Sequence, residues 1–161
     1  MKKFIIEGCD GTGKSTLAKK IAEAYGVDYV HIGTEDPSDW YFYANTLRKA
    51  NVVYDRHFIG ERVYPKYFNR KALIGKYRFE KLLEIAKAQG YVILVLTAND
   101  DVLKANNEND TYEAVRNNYK KINEKFVKIA QQYNLPLINV FDMTETELMA
   151  TIGNLVNEQG K

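Results

Sequence analysis

The chain has 161 residues, with 23 Lys and Arg against 21 Asp and Glu and a formal net charge of +2. That length makes one domain with enough interior for a hydrophobic core, and the near-balanced charge argues against a nucleic-acid footprint over the whole molecule. The longest apolar runs, such as Val92 to Leu96, are too short to span a bilayer, and Cys9, the single cysteine, excludes an internal disulfide and a cysteine-based zinc site.

Lys3 to Glu7 reads as a buried strand that runs directly into Gly8-Cys9-Asp10-Gly11-Thr12-Gly13-Lys14-Ser15, a complete G-x-x-x-x-G-K-S phosphate loop. Because nothing resembling a signal peptide precedes the loop, the expected compartment is cytoplasmic. The glycines let the backbone wrap an anion with its N–H groups turned inward, and the helix that starts near Gly13 adds its positive dipole end. In such a loop Lys14 pairs with the β- and γ-phosphates and the Ser15 hydroxyl sits on Mg2+. Cys9 reads as a small side chain filling a gap beside the sheet rather than as a reactive thiol.

Leu17, Ile21 and Ala24 mark the inward face of the first helix, which Gly26 closes. Asp28 to Ile32 is a second strand, Trp40 to Lys49 a short aromatic helix, and Asn51 to Asp55 a third strand. Phe58 to Arg70 reads as helical with a weak break, and another helix runs to Gln89 and stops at Gly90. Tyr91 to Thr97 is the most apolar strand, which predicts a central place in a sheet covered on both faces. A short lid is expected around residues 99–111. The helix that follows carries a stripe of Tyr112, Val115, Tyr119, Ile122, Phe126, Ile129 and Tyr133 at spacings of three and four. That stripe reads as packing on its own sheet, while its regularity leaves a homodimer seam open. Leu137 to Val140 is the fifth strand. Thr144 to Glu147 is a capping box opening a last helix with Leu148, Ile152 and Leu155 inward. The βαβα order predicts a three-layer α/β fold over residues 1–161, with a parallel five-stranded sheet and helices on both faces.

Parallel sheets place their chemistry at the carboxyl ends of the strands. Asp55, ending an apolar strand, is a candidate Mg2+- or water-holding carboxylate, or else a helix N-cap. Arg56 and Arg62 follow it and offer planar forks to an anionic phosphate. Glu7, at the mouth of the first strand, either orients an acceptor or Mg2+, or pairs with Arg56. His57 reads as structural, and His31 gives no specific signal. Of the aromatic residues, Phe42, Phe58 and Tyr64 are the candidates for stacking a base.

At these residues the chain resembles the thymidylate kinases. Glu7 to Thr16 is similar to their E-G-x-D-G-x-G-K-[ST]-T loop, and Asp55-Arg56-His57 to their D-R-[YH] motif. The resemblance implies a P-loop NTPase fold with strand order 2-3-1-4-5. It also implies Mg-ATP-dependent phosphorylation of a deoxynucleoside monophosphate, dTMP- or dUMP-like, with ATP and Mg2+ as cofactors and a small nucleotide as the partner. By that likeness Gly8, Asp10, Gly11, Thr12, Gly13, Lys14, Ser15 and Thr16 bind the donor, Asp10 contacts the sugar 3′-hydroxyl, Asp55 works with the metal, and Arg56 holds the acceptor phosphate; from its charge, Arg62 or Arg48 offers that dianion a second fork. The family's loop or lid arginine is absent. Thr12 fills the first place, the lid segment holds only Lys104, and Arg116 is the nearest guanidinium. Asp55 to Arg62 also resembles the E-R-S-x-x-S-x-R segment of deoxynucleoside kinases, a second reading. A nucleotide-holding switch with little turnover and a kinase acting on nucleic-acid 5′ ends are further readings.

Overall fold

The computed structural model describes residues 1–161. Five parallel strands form one sheet in the order β2-β3-β1-β4-β5, as expected. They are β1 (Lys3–Gly8), β2 (Asp28–His31), β3 (Val52–Asp55), β4 (Val92–Leu96) and β5 (Leu137–Ile138). The helices are α1 (Lys14–Tyr25), α2 (Trp40–Thr46), α3 (Tyr64–Tyr67), α4 (Lys76–Ala88), α5 (Asp100–Asn107), α6 (Glu113–Gln132) and α7 (Glu145–Gln159). The middle strand is β1, with β3 on one side and β4 on the other. Every residue of β4 is buried, but so is every residue of β1 and β3, so a two-faced apolar run marks an internal strand without choosing the central one.

Alternate side chains of the strands feed two cores. On one face Ile5, Val52, Tyr54, Ile93 and Val95 meet Tyr43, Phe79, Leu82, Ile122 and Phe126 from α2, α4 and α6. On the other, Phe4, Ile6, Val53, Leu94 and Leu96 meet Leu17, Ile21, Leu148 and Ile152 from α1 and α7. The α6 stripe is spent inside the chain: Ile122, Phe126 and Ile129 are buried in the first core and Val115 is buried at the wall of a cavity, so those residues form no seam for a second subunit. In α1 the inward face is Leu17, Ala18 and Ile21, and Ala24 is exposed. In α7 Val156 is buried while Leu155 is half-buried.

Other departures from the expected elements have local causes. The segment after β3 is a tight helical turn, Phe58–Arg62, followed by α3; the break falls at Val63, and Pro65 in the first turn of α3 has no N–H with which to carry the preceding turn onward. The expected lid is the helix α5, packed against α6. The last strand stops at Ile138 because the Asn139 side chain accepts from the Phe141 N–H and turns the chain into a short coil, Val140–Asp142. The capping box at Thr144 and Glu147 is formed on both sides. No helix is long and apolar enough to cross a membrane.

Candidate nucleotide-binding site

The carboxyl ends of β1, β3 and β4 bring the phosphate loop to the centre of one edge of the sheet. Gly8 has φ 144°, and a Cβ there would lie 2.5 Å from the Leu96 carbonyl oxygen, so this close pass between β1 and β4 requires glycine. Inside the loop the buried Lys14 ammonium donates to the Cys9 carbonyl at 2.7 Å, as does the Thr12 hydroxyl. Burial and the nearby Arg56 charge lower the Lys14 pKa, against the opposing pull of Asp10. Burial pushes the Cys9 thiol up to about 12, and its sulfur lies 3.5 Å from the Tyr119 carbonyl, which makes it a packing group.

Two cavities flank the loop. One, of about 410 Å3, is lined by Gly13, Thr16 and Asn106 and walled by Val140, Phe141 and Met143. Only Val140 of that wall falls inside the strand expected from sequence, Leu137 to Val140; Phe141 and Met143 follow it, where no element is expected. The other, of about 860 Å3, is lined by Glu7, Asp10, His31, Arg56 and Tyr64 and extends to Phe68, Arg70 and Tyr112.

At the mouth of α1 the Ser15 hydroxyl donates to Asp55 Oδ2 at 2.6 Å, and the Tyr29 hydroxyl donates to the same oxygen at 2.8 Å. His31 Nδ1 lies 3.2 Å from it. Burial alone would raise the Asp55 pKa, but these hydrogen bonds and the Lys14 charge hold it below the usual carboxylate value. Asp55 Oδ1 is buried with no hydrogen-bond partner. An ionised carboxylate with one orphaned oxygen beside a serine hydroxyl fits a hard cation such as Mg2+. Neither Tyr29 nor His31 carries a sequence signal for a place here.

Asp55 caps no helix. The N–H groups of His57, Ile59 and Gly60 point instead to Glu7 Oε1, at 2.9, 2.9 and 3.4 Å. Burial pushes the Glu7 pKa up to about 8, against those three donors. Nor does Glu7 pair with Arg56. Arg56, at φ 73°, forms its ion pair with Asp10, and the Tyr64 hydroxyl donates to the other Asp10 oxygen at 3.2 Å. Arg56 Nε is buried without a partner. The Arg56 charge and the Tyr64 bond, with Lys14 first among the charges, keep Asp10 ionised despite its burial.

Several predicted residues lie elsewhere. Arg62 turns away to the Ile74 carbonyl at 3.2 Å, because the tight turn rotates it off the cavity; Arg70 takes its place on the wall, held by two bonds to buried Glu61 at 2.9 and 3.1 Å. Arg48 is exposed and lines neither cavity. Phe58 is fully buried and Phe42 packs against Tyr43, so neither lines the larger cavity; Tyr64 does, as do Phe68 and Tyr112, which pack edge-to-face. Arg116 donates to the Asp110 and Thr111 carbonyls at the start of α6 and reaches neither cavity. Lys104 is exposed. His57 packs beside Tyr43 and Tyr54, its Nε2 2.9 Å from the Thr46 hydroxyl, and burial pulls its pKa down to about 3.

The family model for Novel STAND NTPase 3 matches residues 2–136. No curated protein matches the sequence. Among solved structures the chain is similar to the YorR protein of Bacillus subtilis in complex with phosphorylated GDP, at 20% identity over 97% of this chain and 96% of that one, with a TM-score of 0.81. It is also similar to deoxyadenosine kinase from M. mycoides with bound dATP, at 14% identity over 96% and 99%, with a TM-score of 0.60. At these identities the likeness is one of fold, the α/β fold of P-loop NTPases.

Proposed function

The chain belongs to the Novel STAND NTPase 3 family, and from that premise we propose that it is an Mg-ATP-dependent phosphotransferase whose acceptor is a deoxynucleoside monophosphate, dTMP- or dUMP-like. The observation that carries this reading is the pair of cavities meeting at the phosphate loop, where consecutive residues face different sides: Asp10 lines the larger and Gly11 the smaller. A transfer enzyme needs a donor site and an acceptor site that meet at the reacting phosphoryl group. A nucleotide-holding switch needs only one.

In this reading ATP lays its phosphates in the loop from Gly8 to Thr16 and its base against Val140, Phe141 and Met143. Ser15 and Asp55 would hold Mg2+, which neutralises charge on the transferring phosphoryl. Lys14 exchanges the Cys9 carbonyl for a phosphate oxygen. Arg56 keeps Asp10 and offers its unpartnered Nε to the acceptor phosphate. Asp10 faces the sugar, and Tyr64, Phe68 and Tyr112 border the base.

A deoxynucleoside kinase is the second reading, and Glu7 favours it. A buried carboxyl raised to about 8, on the wall of the acceptor cavity, suits the general base that a hydroxyl needs and an anionic phosphate does not. A coupled assay over deoxynucleosides and their monophosphates, with ATP and Mg2+, separates the two. The expected order of kcat/KM is dTMP or dUMP above UMP, and each monophosphate above its nucleoside. Faster phosphorylation of thymidine or deoxycytidine promotes the second reading; ATP turnover that no acceptor accelerates overturns both.

A further inference from the structure

The carboxyl end of α5 is fastened to the tip of the phosphate loop by two consecutive asparagines that reach consecutive loop carbonyls. Asn106 Nδ2 donates to the Gly11 carbonyl at 2.9 Å. Asn107 Nδ2 donates to the Asp10 carbonyl at 2.9 Å and to its own helix at Leu103 at 2.8 Å. Two carbonyl acceptors fix which end of the Asn107 amide faces the loop. The approach is close enough that a Cβ on Gly11 would meet Asn106 Cβ at 2.7 Å and Asn107 Nδ2 at 2.9 Å.

Asn107 is fully buried and its Oδ1 has no partner. A buried amide oxygen without a donor destabilises a fold, so packing alone favours an apolar side chain there. What the asparagine supplies is its grip on Asp10. The same Asp10 carries, on its side chain, the ion pair with Arg56 in the larger cavity. Asn106 is exposed and lines the smaller cavity beside Gly11 and Gly13. Asn106 therefore borders one cavity directly, while Asn107 borders neither and connects to the other only through Asp10.

We propose that Asn106 and Asn107 are positioning residues that divide the two substrates between them: Asn106 sets the loop for the donor, and Asn107, through Asp10, sets Arg56 for the acceptor. The proposal rests on the phosphotransferase reading above for its acceptor half; its donor half needs only that the loop binds ATP.

The test uses Asn106→Ala and Asn107→Ala in the full chain, with ATP affinity read by calorimetry in Mg2+ and acceptor KM read with the acceptor that the panel selects. Asn106→Ala should weaken ATP binding about fivefold and leave the acceptor KM within about twofold. Asn107→Ala should raise the acceptor KM about tenfold and leave ATP affinity within about twofold. Added to Arg56→Ala, the Asn107 substitution should change the acceptor KM by less than about twofold, because the path it acts through is gone. A general structural role predicts no such split. Equal effects of each variant on both substrates, or additivity with Arg56→Ala, overturn the proposal. Should Asn107→Ala not fold, Asn106→Ala decides alone: an acceptor KM that rises in step with the loss of ATP affinity overturns it. If the wild type phosphorylates no acceptor, the phosphotransferase reading falls, and an ATP affinity unmoved by Asn106→Ala then overturns the donor half as well.

Discussion

The two cavities beside the phosphate loop are built in opposite ways. The smaller is walled by Val140, Phe141 and Met143, and its one ion pair, Lys20 with Glu145 at 3.3 Å, is solvent-exposed. The larger has double the volume and is lined by charges that already hold partners: Asp10 with Arg56, Glu61 with Arg70, and Glu7 with three backbone N–H groups. An apolar wall grips a flat base by area and discriminates weakly. A wall of mostly paired charges, with the Arg56 Nε left open, favours a ligand that replaces or extends those bonds, since a mismatch leaves buried groups unpaired at about 1–3 kcal/mol each. In the proposed reading, affinity is thus the business of one side and selectivity that of the other, with the loop between them.

The sharpest way to break this division is at the loop itself, which serves both sides. Lys14→Ala should lower kcat/KM about a hundredfold or more, because the moving phosphoryl loses a fixed cation. Its melting temperature should stay near or above that of the wild type, because a buried ammonium with a lowered pKa is a cost to the fold. Full activity would remove the loop from the chemistry. Asp55→Asn keeps the side chain's shape and removes its charge; kcat should fall roughly tenfold or more, and the Mg2+ concentration for half-activity should rise. An unchanged Mg2+ titration would leave Asp55 as a bonding partner of Ser15 and Tyr29 only.

Glu7 tests the larger side through pH. Its carboxyl is raised from an ordinary 4.5 to about 8. Between those values the folded protein keeps a proton that the unfolded chain has shed, so stability falls as pH rises through the window. The contribution is complete below about 4.5 and gone above about 8. Glu7→Gln keeps an oxygen for the three N–H donors and cannot ionise. Its melting temperature should fall less than that of the wild type between about pH 5 and pH 9, and parallel curves would place Glu7 outside that window. The smallest effect belongs to the apolar wall: Phe141→Ala should raise the KM for ATP about threefold and leave the acceptor KM alone. A larger effect on the acceptor would erase the division of labour.

What the sequence disclosed follows the same line. The donor loop is one contiguous stretch with fixed spacing, so its residues and the strand–loop–helix around them were legible, as was Asp55 at the end of an apolar strand. The larger cavity is assembled from residues as far apart as Glu7, His31, Arg56, Arg70 and Tyr112. Its side chains are aimed by turns that local pattern does not encode. The tight turn after β3 buries Phe58 and rotates Arg62 away, so neither lines the cavity that the local pattern predicts for it. Glu7 was legible as a carboxylate near the loop, but its capping of residues 57–60 depends on a contact across fifty positions. Asn106 and Asn107 had no signal, because an asparagine at a helix end is ordinary until the loop it touches is in view.

The smaller cavity joins residues near 13 to residues 140–148, and this sets an order of events at the ribosome. Synthesis delivers the phosphate loop early and the wall opposite it late, after all five strands have been made. A partly made chain carries an anion cradle with no face for a base, so in the proposed reading ATP gains its base contacts only once Val140 to Met143 and the start of α7 are in place. From then on it ties the two-residue edge strand β5 and its neighbour α7 to the opening loop. Their amides should therefore exchange with solvent more slowly when ATP is bound, while those of the interior strands change little.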